Sequence, residues 1–212
     1  AHNQNVKVSI AVGGWGWDEQ FEQMAASAES RTAFVQNLKA FVDEYQLDGI
    51  DMDWEYPDQG QSSQNYVALM TELRAALPDK LISTAVISYG DDTGLGIPTE
   101  SFELVDYVNV MTYDGSDHGT MEQFEKGLQY WSSRGVPKEK LNIGVPFYSR
   151  PSEVTYSKLV ATDPAAAQSD SFDYFGMLQN YNGIPTIQKK TEIAMQNAGG
   201  IMFWELSHDA QG

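Results

Sequence analysis

Residues 48–57 read Asp48-Gly49-Ile50-Asp51-Met52-Asp53-Trp54-Glu55-Tyr56-Pro57. Side chains alternate along an extended strand, so Asp51, Asp53 and Glu55 share one face while Ile50, Met52 and Trp54 share the other. A row of acids inside an otherwise apolar, core-type strand is costly, because unpaired buried charge is expensive and like charges a few ångströms apart cannot all ionise. At least one of these carboxyls therefore holds its proton more tightly than usual, which creates a proton donor. Glu55, at the carboxyl end of the strand, is the one a substrate can reach, with Asp53 and Asp51 progressively deeper. The competing use of such a cluster is a hard-metal site with oxygen ligands. Three collinear acids on one strand do not make a calcium loop and no complementary cluster appears elsewhere, so no metal is expected.

Outward from this stretch, short β-branched runs recur at 6–12, 49–53, 81–88, 107–112, 141–145 and 200–204. They are nearly continuously apolar, as in parallel strands covered on both faces. Helical stripes separate them. Phe34, Leu38, Phe41 and Tyr45 form one, widened by Val35 and Val42 and closed by Asp48-Gly49. Tyr66, Leu69, Met70, Leu73 and Leu77 form the next, which stops before Pro78. Met121, Phe124, Leu128 and Trp131 form a third, and 186–197 runs into Gly199-Gly200 and the last strand. This alternation predicts an α/β fold, either an open doubly wound sheet or a (β/α)8 barrel, and both place functional loops beyond the carboxyl ends of the strands. The glycine-rich phosphate turn of a nucleotide-binding sheet is missing, which favours the barrel.

The chain has 212 residues, 42% of them hydrophobic and 12% aromatic, which is globular material for one large domain. Its 13 Lys and Arg stand against 30 Asp and Glu, a formal net charge of −17. Clustered cations drive phosphate binding, so neither nucleic acid nor an anionic membrane surface is an expected partner. No apolar run approaches the roughly 20 residues of a bilayer-spanning helix, and Ala1-His2-Asn3-Gln4-Asn5 has neither the charged nor the apolar region of a signal peptide. The absence of cysteine excludes disulfides, thiolate nucleophiles and cysteine-based zinc sites. His2, His118 and His208 are scattered and match no metal-binding spacing. Chemistry rests on carboxylates.

Asp48-x-x-Asp51-x-Asp53-x-Glu55, flanked by Trp54, Tyr56 and Pro57, resembles the D-x-x-D-x-D-x-E signature of the glycoside hydrolase family 18 chitinases. Further segments resemble the family in order. Residues 6–15 look like its third barrel strand ending in Gly-Gly-Trp, and Met111-Thr112-Tyr113-Asp114 like its sixth-strand M-x-Y-D motif. Pro146-Phe147-Tyr148 with Arg150 looks like the end of the seventh strand, and Phe203-Trp204-Glu205 like the eighth, with the tryptophan that floors the sugar site. The resemblance implies a (β/α)8 barrel that hydrolyses β-1,4 bonds between N-acetylglucosamine units with retention, by a mechanism in which the acetamido oxygen of the sugar attacks its own anomeric carbon. By position it makes Glu55 the general acid and then base. Asp53 would orient the acetamido group and stabilise the cationic intermediate, Asp51 would share the proton of Asp53, and Tyr113 would donate a hydrogen bond to the acetamido oxygen. Asp114, Met111, Tyr56, Arg150 and Trp204 fall at sugar-contacting positions, with Trp15, Trp17 and Tyr148 as further subsite candidates. Trp54 and Trp131 are expected in the core. No metal or organic cofactor is implied, the partner is chitin or its oligosaccharides, and the location is extracellular.

The sequence departs from the family at Ala11-Val12-Gly13-Gly14, where S-x-G-G is usual, so a hydroxyl that supports the buried aspartates is missing and a shifted pH profile is expected. Ser149 stands where glycine is common, with little effect expected. Only the third to the eighth strands are present, against about 250 residues for a complete barrel. The expectation is therefore a single partial barrel domain over 1–212, lacking the first two strands and the last helix. It reads either as a fragment whose missing strands were removed or come from another chain, or as an unusual reduced barrel, and the fragment is favoured because an open sheet exposes two edges. The 53 residues from Phe147 to Gly199 are too few for a helix plus the α+β module that some members insert there. A shallow, open cleft and cleavage within the polymer follow. Two other functions share the motif: an endo-β-N-acetylglucosaminidase acting on N-glycans, and a chitinase-like protein that binds without cutting.

Overall fold

The apolar runs become strands and the 3.6-residue stripes become helices, in alternation. The structure, a computed structural model, describes residues 1–211, and the chain divides into two compact units, Ala1–Val108 and Asn109–Gly212.

The first unit holds β1 (Ser9–Gly13), α1 (Asp18–Ala25), α2 (Ala28–Glu44), β2 (Gly49–Asp53), α3 (Gln61–Ala76), β3 (Leu81–Ile87), the short α4 (Asp91–Gly94) and the start of β4 (Tyr107–Met111). β1 lies parallel to β2 with Ser9 beside Gly49 and Gly13 beside Asp53. β2 lies parallel to β3 with Gly49 beside Leu81 and Met52 beside Thr84. Asp48 anchors this register just before β2. Its Oδ2 accepts the Val8 N–H at 2.7 Å and meets His2 Nε2 at 2.7 Å, with Lys7 Nζ 3.3 Å from Oδ1. Those donors, Val8 first, hold its carboxyl down at about 2. Ile50, Met52, Tyr66, Leu69, Met70, Leu73, Ile82 and Val86 are fully buried, and each large apolar side chain so removed from water contributes about 1.5–3 kcal/mol.

Ser27 caps α2 by accepting the Ser30 N–H at 3.1 Å. The helix buries Val35 and Val42, whereas Phe41 and Tyr45 are 40% and 58% exposed. The stripe expected to form the core thus lies to one side of it. Phe34, Leu38 and Phe41 line an open apolar cavity of about 540 Å³ together with Ile10, Val12 and Phe21. β1 likewise differs from the expectation of two covered faces, because every second residue along it is exposed.

The second unit continues β4 and adds α5 (Met121–Ser133), β5 (Leu141–Pro146), α6 (Tyr156–Thr162), β6 (Ser171–Tyr174), β7 (Met177–Asn180), α7 (Ile184–Asn197) and β8 (Gly200–Trp204). β5 lies parallel to β8, with Asn142 beside Gly200 and Pro146 beside Trp204. Thr120 caps α5 by accepting the Gln123 N–H at 3.0 Å, and α5 buries Phe124 and Trp131. α7 starts after Gly183 with a proline in its first turn. Between β5 and α7 the chain also folds α6 and the antiparallel pair β6–β7, around a small cluster of Val154, Leu159, Ala166 and Tyr181. The hairpin turns on Phe175 and Gly176, both at positive φ, the backbone that a two-residue hairpin loop requires. Among the described residues no helix is long and apolar enough to cross a membrane.

Candidate functional site

In the first unit, β2 presents its acids as alternation dictates. Ile50, Met52 and Trp54 are buried on one side, and Asp51, Asp53 and Glu55 are partly exposed on the other. Trp54 fixes this division. Its indole N–H donates to Asp18 Oδ1 at 2.7 Å, and its ring stacks on Phe21 with centroids 5.2 Å apart. The β1–α1 junction closes over the end of β2: the Gly14 N–H donates to the Asp53 carbonyl at 2.7 Å. Gly13 sits at φ +114°, and a Cβ there would lie 2.1 Å from that same carbonyl oxygen, so only glycine allows the approach. The loop beyond carries Trp15 and Trp17, 81% and 55% exposed.

Asp51 Oδ1 accepts from Ser83 Oγ, its register neighbour on β3, while its neighbour on β1 is Ala11. Asp53 Oδ1 is buried and has no hydrogen-bond partner among the described residues. Burial, reinforced by the charges of Glu55 and Asp51, pushes the Asp53 carboxyl up to about 7. Near neutral pH this group is therefore divided between acid and carboxylate, so it can either donate a proton or carry charge. Glu55 and Tyr56, both half-buried and joined by a cis peptide, follow directly.

In the second unit, the end of β4 leads through Met111 and Thr112 to Tyr113 and Asp114. Tyr113 is buried, with its hydroxyl 3.6 Å from Met202 Sδ. Its ring occupies the space that a side chain at Gly144 would need, since a Cβ there would lie 2.8 Å from Tyr113 Cε1. Asp114 Oδ1 accepts from Tyr148 Oη at 2.7 Å, Arg150 Nε at 2.8 Å and Arg150 Nη2 at 2.5 Å. Arg150 Nη1 also pairs with Glu153. Such charge-assisted bonds to a guanidinium hold the carboxylate in one orientation. Burial, with Asp114 accepting its proton, keeps the Tyr148 hydroxyl protonated. Trp204 ends β8 beside Pro146 and is 48% exposed, whereas Trp54 and Trp131 lie in the cores.

The structure thus places Asp51 and Asp53 on β2 with Glu55 two residues beyond its end, and Asp114, Tyr148 and Arg150 in one bonded cluster, with the Tyr113 ring 6.3 Å from that of Tyr148. Trp15, Trp17 and Trp204 contribute exposed indole faces. Three residues make contacts that the sequence reading does not assign to them. Ser83 supplies a hydroxyl to Asp51 from the strand opposite the one where it was expected. Ser149 is fully buried, donates to Gln179 Oε1 at 2.9 Å and accepts the Val154 N–H at 3.1 Å, so it ties the turn after β5 to β7. His118, set aside as scattered, is buried and bonded to the backbones of both Asp114 and Tyr148. Its position four residues after Asp114 was the available signal.

The family model "Glycosyl hydrolases family 18" matches residues 1–209. Among curated proteins, chitinase A1 of Niallia circulans is 27% identical in an alignment of 290 positions that covers 98% of this chain and 41% of that protein. This chain therefore spans less than half the length of that relative. Among solved structures, the chitinase ChiB from the chitin utilization locus of Flavobacterium johnsoniae superposes with a TM-score of 0.85 at 32% identity, over 99% of this chain and 72% of that one. A chitinase from Bacteroides thetaiotaomicron superposes with a TM-score of 0.88 at 28% identity, over 100% and 73%. In fold class the described residues correspond to a truncated (β/α)8 barrel. With its acidic β2 strand, its Asp114 cluster and a match running almost from end to end, the chain belongs to glycosyl hydrolases family 18.

Proposed function

We propose that this chain is the catalytic domain of a secreted chitinase. It hydrolyses the β-1,4 bonds of N-acetylglucosamine polymers with retention, using Glu55 as general acid and then base. The observation that carries the reading is the row of Asp51 and Asp53 on β2 and Glu55 just past its end, with a proton held on Asp53 up to about pH 7. The chitinases among its relatives support the substrate class. Glu55 protonates the leaving oxygen as its bond to the anomeric carbon breaks, and the acetamido oxygen of the sugar that carries that carbon attacks it, giving an oxazolinium ion. Asp53, protonated below about pH 7, orients the acetamido group. Passing its proton to Asp51 leaves a carboxylate beside the growing positive charge. Glu55, now ionised, takes a proton from water as that water opens the oxazolinium. Tyr113 donates to the acetamido oxygen, and Asp114, Arg150, Tyr148, Met111, Tyr56, Trp15 and Trp204 contact sugar. This chemistry requires no metal or organic cofactor.

The reading extends to a single catalytic domain without the large α+β insert. An alignment of 290 positions against a chain of 212 residues means that the N. circulans relative carries segments this chain lacks. A cleft without that wall favours cleavage within the polymer. Early products consisting almost purely of dimers, with the viscosity of a soluble chitin derivative hardly falling, overturn that part. The deciding experiment is a mass-spectrometric time course of chitotetraose with the native chain and its Glu55→Gln variant. The variant is expected to retain binding and lose at least about 10²-fold in turnover. Near-normal turnover removes Glu55 from its role. Binding without cleavage by either points to a carbohydrate-binding protein, and cleavage of a high-mannose glycopeptide in preference to chitotetraose points to an endo-β-N-acetylglucosaminidase.

A further inference from the structure

His118 is 5% exposed and makes one hydrogen bond at each ring nitrogen. The Asp114 N–H points at Nδ1 at 2.9 Å, and an N–H can only donate, so Nδ1 carries the lone pair. Nε2 lies 3.0 Å from the Tyr148 carbonyl oxygen, which can only accept, so Nε2 carries the proton. The two contacts specify one neutral tautomer, because a protonated ring would set an N–H against an N–H. The groups held are not arbitrary. Asp114 sits at φ 61°, a left-handed backbone that a non-glycine residue adopts only with local support. Tyr148 is the residue whose hydroxyl donates to Asp114 Oδ1. A ring of bonds therefore closes from His118 to the Asp114 backbone, through the Asp114 carboxylate to the Tyr148 side chain, and from the Tyr148 carbonyl back to His118. Gln123, 2% exposed, braces the same turn. Its Nε2 donates to the Asp114 carbonyl at 2.9 Å and the Tyr113 carbonyl at 3.2 Å, and its Oε1 accepts the Gly119 N–H at 2.8 Å.

We propose that His118 is a positioning residue, whose neutral imidazole pins the backbone of Asp114 to that of Tyr148 and so sets the Tyr148–Asp114–Arg150 cluster for sugar contact. The sugar-contact half of this rests on the function proposed above. The polar groups facing the ring are Asp114, whose Oδ1 lies 3.7 Å from Nδ1, together with Arg150, Lys190 and the Tyr148 carbonyl. Burial opposes protonation most strongly, the Tyr148 carbonyl and Asp114 favour it, and Arg150 and Lys190 oppose it, with the net effect a proton affinity below that of an ordinary histidine. The neutral form therefore persists on acidification past the usual histidine range. When the ring does protonate, the bond to the Asp114 amide is lost and the cluster loosens.

The test joins a spectroscopic readout to a kinetic one on the full chain. Long-range ¹H–¹⁵N spectra should show His118 Nδ1 unprotonated and Nε2 protonated at pH 7, with a titration midpoint below about 6.5. His118→Asn keeps an acceptor near Nδ1, and His118→Leu keeps bulk alone. The Leu variant is expected to raise KM for chitotetraose at least about tenfold and to expose the Asp114 amide to hydrogen exchange. The Asn variant should retain most of kcat/KM at pH 7, protect that amide, and lose the acid-side step of the pH profile. An Nδ1-protonated or charged ring at pH 7 overturns the proposal. So do Asn and Leu variants equally impaired with the native pH profile, which is the signature of a merely structural role. A native chain that neither cleaves nor binds chitotetraose defeats the function proposed above. The tautomer and the Asp114 exchange rates then still decide whether His118 holds the cluster.

Discussion

At the scale of the residue, Asp53 makes folding depend on pH. Its carboxyl ionises near 3.8 in an unfolded chain but keeps its proton up to about 7 in the folded one. The folded state therefore binds the extra proton, and the stabilisation is fully present below 3.8 and lost as pH rises through 7. Asp53→Asn has the shape of the protonated acid and cannot ionise. It should melt at a higher temperature than the native chain at pH 8, the gap narrowing towards pH 4, while activity falls at least about 10²-fold. An equal gap at both pH values would show that the Asp53 carboxyl is not the group that makes stability depend on pH. Asp51 bears on the same proton. Ser83→Ala removes a donor to its carboxylate, and bonds to charged groups contribute about 1.5–3 kcal/mol. The variant should lose roughly tenfold in kcat/KM, with the acid limb of its profile moved to higher pH. Because Ala11 flanks Asp51 in register on the other side, Ala11→Ser in that background should restore part of the loss. Failure of both effects would leave the Ser83 contact without influence on the acids.

At the scale of the element, β2 is useful only because β1 stops against it. The Gly13 backbone at φ +114° and the 2.1 Å clearance to the Asp53 carbonyl combine two penalties for any side chain. Gly16, at φ +89° with nothing within 4 Å, carries only the first. Gly13→Ala should therefore cost clearly more stability than Gly16→Ala, by about 2 kcal/mol or more in chemical denaturation. Equal costs would mean that the junction yields without strain. The same elements show what a sequence reveals. β2 was legible to the residue because its alternation places Trp54 and Asp53 on opposite sides, and the parallel strands were legible because apolar runs between helical stripes have few other uses. The inward face of α2 was not, since Phe34, Leu38 and Phe41 line an open cavity and look, as letters, like core. The β6–β7 pair was hidden by four-residue strands and a turn with phenylalanine at positive φ. Within the site, acids at every second residue along and just past β2 announce themselves by spacing. His118 acts on backbone groups that every residue carries, and Ser83 reaches a partner 32 residues away, so neither leaves a local pattern.

At the scale of the whole molecule, the excess of 30 acidic over 13 basic residues acts at distances that no single contact spans. A field of that sign does nothing for a neutral N-acetylated polymer, but it draws in a deacetylated one, whose amines are protonated in mildly acidic solution. The attraction is screened over about 10 Å at 0.1 M salt, so it should fade as ionic strength rises. A fully deacetylated glucosamine tetramer is therefore expected to bind at low salt and to weaken at least about tenfold on going to roughly 0.5 M NaCl, whereas chitotetraose should change by less than about twofold. The two ligands also separate charge from chemistry. Without an acetamido oxygen there is no internal nucleophile, so the deacetylated tetramer should behave as a salt-sensitive competitive inhibitor and emerge uncut. Titration calorimetry of both ligands at low and high salt, with mass spectrometry of the recovered tetramer, reads both expectations at once. Equal salt slopes would remove the acidic surface from substrate selection. Cleavage of the deacetylated tetramer would remove the acetamido group from the mechanism and require a carboxylate or water to attack the anomeric carbon in its place.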